Sequence, residues 1–367
     1  MRGRGDCRTV PAARDLRFQW AMTATMIDTG VCWNLHASCP PTWARQIERC
    51  GAGFFHSPPG LIAAGEQGEP FFAELTSGED VLGIAAGVHR RCRVPPLPRH
   101  TFLPSPPALM PGTDVSLSGA IVALIDEARD AGWTELAINS LEAAGAVPGI
   151  EDGCTLARRL EYDVVLSGTP EEIERRLSSH HRRRLPDPGQ WALHTLSGRD
   201  ARALLLDVTS SARHRASEKR SVTYDVTLPP VEAFREDPAW GLTTYAAMLD
   251  GVPLAAVLVG WAGKRAYYVS GGSTPDGYAC NASVWLHLQV ALAFQSAGFT
   301  HYCLGGAPAS AVNPSDPSHG LHRFKTGFGS TVRACAGARW VFGGEHETGH
   351  RLTRWIREHL AGSKELR

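Results

Sequence analysis

The densest chemical signal lies between His301 and Gly329. A short apolar run ends in Leu304-Gly305-Gly306, and a Pro/Ser/Asp-rich stretch leads to Gly320-Leu321-His322-Arg323-Phe324-Lys325-Thr326-Gly327-Phe328-Gly329. Two glycines leaving a strand let a ligand approach the backbone closely and leave amide donors free. Arg323 and Lys325 stand two apart, so an extended stretch puts both cations on one face while Phe324 and Phe328 anchor the backbone. That arrangement suits an anionic acyl donor and charge developing on a carbonyl oxygen. Upstream, Tyr267 and Tyr268 alternate along a strand, which assigns one to the core and leaves the other to line an acceptor cleft. A third group, Arg182-Arg183-Arg184, follows His180-His181 at a helix end. Two roles fit it: a solvated terminus complementing the helix dipole, or a patch holding the phosphates of a tRNA or lipid-linked substrate. His287 and Cys303 read as satisfied core residues, and His319 and His322 lie near the site without a defined role.

The remaining composition narrows the chemistry by exclusion. Thirty-seven basic residues balance thirty-seven acidic ones, so any polyanion must be held by a local patch. The nine cysteines are scattered with no CxxC pair, which argues for reduced thiols, a cytoplasmic setting and no metal site. P-loop, HExxH, EF-hand and GxSxG patterns are all missing. So is the [RQ]xxGx[GA] loop that wraps the coenzyme A pyrophosphate; Arg333-Ala334-Cys335-Ala336-Gly337-Ala338 has the wrong spacing. No apolar run approaches the roughly 20 residues that span a bilayer.

The segments Tyr302-Cys303-Leu304-Gly305-Gly306 and Gly320 to Gly329, preceded by Ala266-Tyr267-Tyr268-Val269-Ser270-Gly271-Gly272-Ser273, resemble the FemA/FemB/FemX-type superfamily. So does the helix-ending basic run Leu177 to Gly189, and the resemblance covers roughly Thr42 to Phe342. It implies a tandem acetyltransferase (GNAT) fold, α/β in class, with mixed β-sheets flanked by helices. It also implies aminoacyl transfer from aminoacyl-tRNA to an amine, as in cell-wall precursors or peptide antibiotics. Aminoacyl-tRNA would be a co-substrate, and no bound cofactor is implied. A sister branch of acyl-coenzyme A N-acyltransferases keeps coenzyme A as the alternative donor. The family lysine maps onto Lys325 and the basic position before it onto Arg323. Substrate contacts are expected from Tyr267, Tyr268, Gly305, Gly306 and Phe324, and phosphate contacts from Arg182, Arg183 and Arg184.

The elements that must position these residues occur twice. Strands at 70–75 and 81–88 flank a polar turn, and a helix over 118–131 ends at Gly132 before a strand at 135–139. Strands at 242–249 and 253–261 flank Asp250-Gly251, a strand runs from 265 to 270, and a buried helix over 282–297 ends at Gly298 before a strand at 301–304. Ala131-Gly132-Trp133-Thr134 matches Ala297-Gly298-Phe299-Thr300, and the hairpins match at a nearly equal offset, which indicates a duplication. The expected division is a flexible leader over 1–40, a first domain over 41–168, a second over 169–342 that carries the active site, and a helical tail over 343–367. The proline-rich stretch 95–111 reads as a loop. One helix is expected from Pro170 through the basic cluster, with Thr169 as its cap.

Overall fold

The computed structural model describes residues 31–65, 68–91, 99–142, 155–186, 188–220, 228 and 238–342. The first half forms β1 (Val31–His36), α1 (Trp43–Arg49), α2 (Pro58–Ala63), β2 (Glu69–Ser77), β3 (Asp80–Arg91), β4 (Arg99–Leu103), β5 (Ala108–Leu109), α3 (Leu117–Asp130), β6 (Glu135–Ile138) and β7 (Thr155–Val165). Then follow α4 (Pro170–Arg176), α5 (Ser179–Arg182), β8 (Trp191–Leu196), α6 (Gly198–Arg220), β9 (Trp240–Leu249), β10 (Val252–Ala262) and β11 (Arg265–Ser273). The chain continues through α7 (Pro275–Ala279), α8 (Ala282–Ser296), β12 (His301–Pro308), α9 (His319–Thr326) and β13 (Thr331–Val341).

Local chemistry explains the repeated elements. The α3 helix starts where Ser116 accepts a bond from Gly119 N, buries Ile121, Leu124, Ile125 and Ala128, and stops before Gly132 at φ 70°. Its apolar stripe covers Trp33, Phe71 and Leu136 of the sheet. In the second half α8 is apolar nearly all round and packs into the core with Tyr302, Leu304 and Phe328. Asp250 and Gly251 both take positive φ, the primed turn geometry that suits the β9–β10 hairpin.

All the strands among the described residues belong to one mixed sheet, ordered β1-β2-β3-β4-β6-β13-β7-β12-β11-β10-β9-β8, with β5 beside β3. Read from either edge inward the order is the same, and the parallel pairs β4–β6 and β11–β12 occupy equivalent places. The two halves exchange their last strands. Strand β7 pairs with β12 (His301 opposite Val165), whereas β13 pairs with β6 (Val341 opposite Glu135). Antiparallel β7–β13 pairing, with Arg159 opposite Cys335, then fuses the halves edge to edge. The anticipated domain limit at 168/169 falls just after β7, whose hydrogen bonds are made to strands beyond that limit.

Several sequence expectations change here. The leader over 1–40 contains β1, held because Trp33 is buried and its Nε1 donates to Ala120 O at 2.9 Å. The stretch 95–111 is not all loop: the five residues of β4 carry no proline, so they pair with β3 and β6. The single helix from Pro170 is two. Thr169 and Glu172 form the expected capping box, but Leu177 leaves helical geometry at ψ 140° and Ser178 caps a new start by accepting from His181 N. The leader before residue 31 and the tail over 343–367 lie outside the described residues.

Candidate active site

The site begins with a gap in the sheet. Strands β11 and β12 pair over three positions, Arg265–His301, Ala266–Tyr302 and Tyr267–Cys303, although both continue well beyond. A bulge then intervenes: β12 pairing with β7 steps from Cys303 opposite Asp163 to Gly306 opposite Glu161, and Gly305 takes φ +72°. The equivalent β4–β6 pair stays matched through Leu103–Ile138, and Asn139 N extends it by donating to Leu103 O. The gap therefore belongs to the second copy.

A cavity of about 280 Å³ opens at that gap. Tyr267, Tyr268 and Val269 come from β11, Gly305 and Gly306 from β12, and Lys325 from α9. The first half adds Phe55, Ala63, Ala64, Leu141 and Arg159. Both tyrosines line the opening, although alternation sends them to opposite faces: Tyr267 joins the Phe55 cluster and Tyr268 packs on the His287 ring. A break between strands gives access to both faces at once, which alternation alone does not anticipate.

Lys325 is 4% exposed, and its Nζ donates to Gly306 O at 2.8 Å and lies 5.4 Å from the centre of the Tyr162 ring. Burial pushes its pKa down to about 8. The helix beneath it is fixed from several sides. Phe328 is buried against His181 and His287, Phe324 packs on Phe328, and Tyr162 Oη shares a 2.9 Å hydrogen bond with His322 Nδ1. His287 is held neutral, its pKa driven down to about 3 by burial and then by Lys325.

This segment is helical rather than extended, which corrects the expected shared face of Arg323 and Lys325. Two positions on a helix stand about 200° apart, so Lys325 is buried while Arg323 is exposed. Arg323 instead joins the surface around α5. Arg182, Arg183 and Arg184 are exposed there, and the His180 pKa is lowered by Arg184 first, with Arg323 and Arg183 adding to it. The two helices are tied together by His181 Nε2 with Phe324 O at 2.9 Å and by Ser178 N donating to Gly327 O at 2.8 Å.

Below the cavity lies a charged network absent from the sequence-based candidates. Glu161 is fully buried: Tyr267 Oη donates to it at 3.0 Å, Glu142 N at 3.0 Å, and Arg159 and Arg333 pair with it at 3.2 and 3.7 Å. Asp163 takes Arg333 at 2.6 Å and Arg265 at 3.5 Å. Arg159 also donates to Tyr267 Oη at 3.3 Å. The signal was available, since Arg159, Glu161 and Asp163 alternate with Leu160, Tyr162 and Val164 and so share one face of β7. Glu142 accepts from Phe55 N at 3.1 Å, and burial lifts its pKa to about 7. The Cys303 thiol is buried and pushed well above its ordinary range, which leaves it protonated and unsuited to nucleophilic attack. Among the described residues no cluster of His, Cys, Asp and Glu is arranged to hold a metal ion, and no helix is long and apolar enough to cross a membrane.

Two half-sheets of the same strand order, fused edge to edge, with an open β11–β12 gap and a buried cation at its mouth, make this a doubled α/β protein. Residues 175–325 match the family model of an acetyltransferase (GNAT) domain. Among solved structures, FemX superposes with a TM-score of 0.59 at 12% identity, over 81% of this chain and 96% of its own. A tandem GNAT protein from the clavulanic acid biosynthesis pathway gives 0.43 at 12% identity, over 86% and 99%. L-PGS from Bacillus licheniformis gives 0.41 at 14% identity, over 76% and 87%. No curated protein matches the sequence. The chain shares the fold of FemX, and the match of residues 175–325 to the acetyltransferase family model supports acyl transfer.

Proposed function

We propose that the protein forms amide bonds, moving an aminoacyl group from aminoacyl-tRNA to an amine acceptor at the β11–β12 gap. The observation that carries this reading is Lys325: an ammonium buried to 4% exposure, directed at the open edge of β12, in a cavity large enough for a small substrate. A buried cation without a full counter-charge is costly to keep. It becomes useful when a carbonyl oxygen beside it turns anionic.

The acceptor amine attacks the ester carbonyl as a neutral nucleophile, its proton leaving to solvent or substrate. The carbonyl oxygen takes the electron pair, the Lys325 ammonium and nearby backbone amides stabilise it, and collapse expels the tRNA ribose oxygen. No enzyme nucleophile takes part, in keeping with the buried, protonated Cys303. The exposed Arg182, Arg183, Arg184 and Arg323 suit the tRNA phosphates, whose contacts carry most of the affinity for a polyanion. The acceptor would be a cell-wall precursor or an antibiotic-type metabolite.

A second reading, acyl-coenzyme A-dependent N-acylation, is favoured by the acetyltransferase match over 175–325. The missing pyrophosphate loop weighs against it. A non-catalytic binding role would leave the buried Lys325 without a purpose. Incubating the protein with charged tRNA and with acyl-coenzyme A, each with a panel of amines, separates these readings. Deacylation of tRNA with amide product supports the first, consumption of the thioester supports the second, and neither supports the binding role.

A further inference from the structure

The charge around the cavity is unbalanced. Arg159 and Lys325 line it, and Arg265 and Arg333 stand behind, against the carboxylates Glu161 and Asp163. Glu142, its pKa lifted to about 7 by burial, supplies at most part of another negative charge. His56 and His287 are held neutral by burial. No carboxylate is among the described residues that line the opening. Arg159 Nε is buried and has no acceptor among the described residues, although a buried guanidinium donor normally has one. Its Nη2 engages both Glu161 at 3.2 Å and Tyr267 Oη at 3.3 Å, which holds that end of the guanidinium in place beside the cavity. Apart from the two tyrosines and the glycines, the rest of the lining is apolar, built from Phe55, Ala63, Ala64, Leu141 and Val269.

From this arrangement we propose that the cavity binds the carboxylate of the acceptor, an amino acid or amino-acid-like amine with a small apolar side chain, on Arg159. The proposal rests on the acyl-transfer reading for the ligand's role as acceptor. Arg159 and Lys325 approach Gly306 from opposite faces of the sheet. A side chain at 306 would run into the Arg159 guanidinium, and Lys325 donates to the Gly306 carbonyl. A carboxylate on Arg159 therefore brings the neighbouring α-amine toward the Lys325 side, where the acyl carbonyl is attacked. Two nearby cations also favour the neutral, nucleophilic form of that amine.

Calorimetric titration of the full chain with L-leucine, L-leucinamide and inorganic phosphate tests the proposal without turnover. L-leucine should bind saturably and L-leucinamide at least ten times more weakly. Replacing Arg159 alone strands the buried Glu161, so the test variant is Arg159→Met with Glu161→Gln, checked for folding by circular dichroism. It should bind the two leucine probes equally, whereas Lys325→Met should keep the preference for the carboxylate. Equal binding of both probes by the wild type, a preference that survives in the double variant, no binding of L-leucine, or tighter binding of phosphate than of L-leucine would each overturn the proposal. A carboxylate preference in a protein that transfers no acyl group would leave this site standing and sink the proposed function instead.

Discussion

Lys325 and Arg159 reach Gly306 from opposite faces of the sheet, one donating to its carbonyl at 2.8 Å and the other lying where its side chain would be. That relationship exists because β11 and β12 part after three paired residues, and because β7, a strand of the first half, fills the place beside β12. The strand exchange thus delivers Arg159 from one copy to the lysine of the other.

The charge on Lys325 should set an alkaline limit to activity. With its pKa lowered to about 8 by burial, the ammonium is the main form at pH 7 and is lost by pH 9.5. Acyl transfer should decline as pH rises through about 8, and Lys325→Arg, which stays charged, should remove that limb while restoring turnover in part. A pH–rate profile that stays level from 7 to 9.5 would separate the lysine from the reaction.

Glu142 should weaken the fold as pH rises. Its folded pKa, about 7, lies above the ordinary 4.5, so the protonated form is the one the fold favours. Its contribution is full below pH 4.5 and is lost as pH climbs to about 7, which amounts to about 3 kcal/mol. His56, held down to about 4 by burial, works in the opposite sense and costs stability as pH falls below 6.5. Denaturant midpoints of Glu142→Gln across pH 5–8 should therefore lose the alkaline decline and keep the acid one.

Support for α9 is concentrated in Phe328, which is 3% exposed and touches His181, His287 and Phe324. Phe328→Ala should cost about 3–5 kcal/mol, as large core truncations do. Phe324, which is half-buried, should cost less. Chemical denaturation of both variants gives the ordering, and a reversed order would mean that α9 is held otherwise.

Much of this architecture could be read from residue patterns, and its failures have physical causes. Gly132 and Gly298, at matching helix exits, betrayed the doubled α/β unit because a left-handed helix stop is a local requirement. Lys325 stood out through its setting of glycines and phenylalanines. The exchange of β7 and β13 was illegible, since strand partners are chosen by contacts distant in sequence. The spacing of Arg323 and Lys325 was read on an extended stretch, yet tertiary packing of Phe324 and Phe328 carries that segment into a helix and sends Arg323 outward. The alternation of Arg159, Glu161 and Asp163 was visible, but nothing local said that their face of β7 borders a cavity.

The exposed arginines supply a test of the donor. Alanine at Arg182, Arg183 and Arg184 together should weaken tRNA binding and flatten its salt dependence, because each lost phosphate contact removes counterion release. Filter binding between 50 and 200 mM salt reads this directly. An unchanged slope would reduce the cluster to a solvated helix end.

The central claim is that Lys325 is kept for transition-state charge at the expense of stability. Holding its pKa at about 8 rather than 10.5 disfavours the folded, charged form by about 3 kcal/mol at neutral pH. That is offset in part by its hydrogen bond to Gly306 O. Lys325→Met should therefore lower acyl-transfer turnover by roughly a hundredfold or more, while its melting temperature at pH 7 equals or exceeds that of the wild type. Turnover and melting temperature measured side by side on the two proteins decide the matter. Retained turnover, or a loss of activity accompanied by a clear fall in melting temperature, would contradict the account.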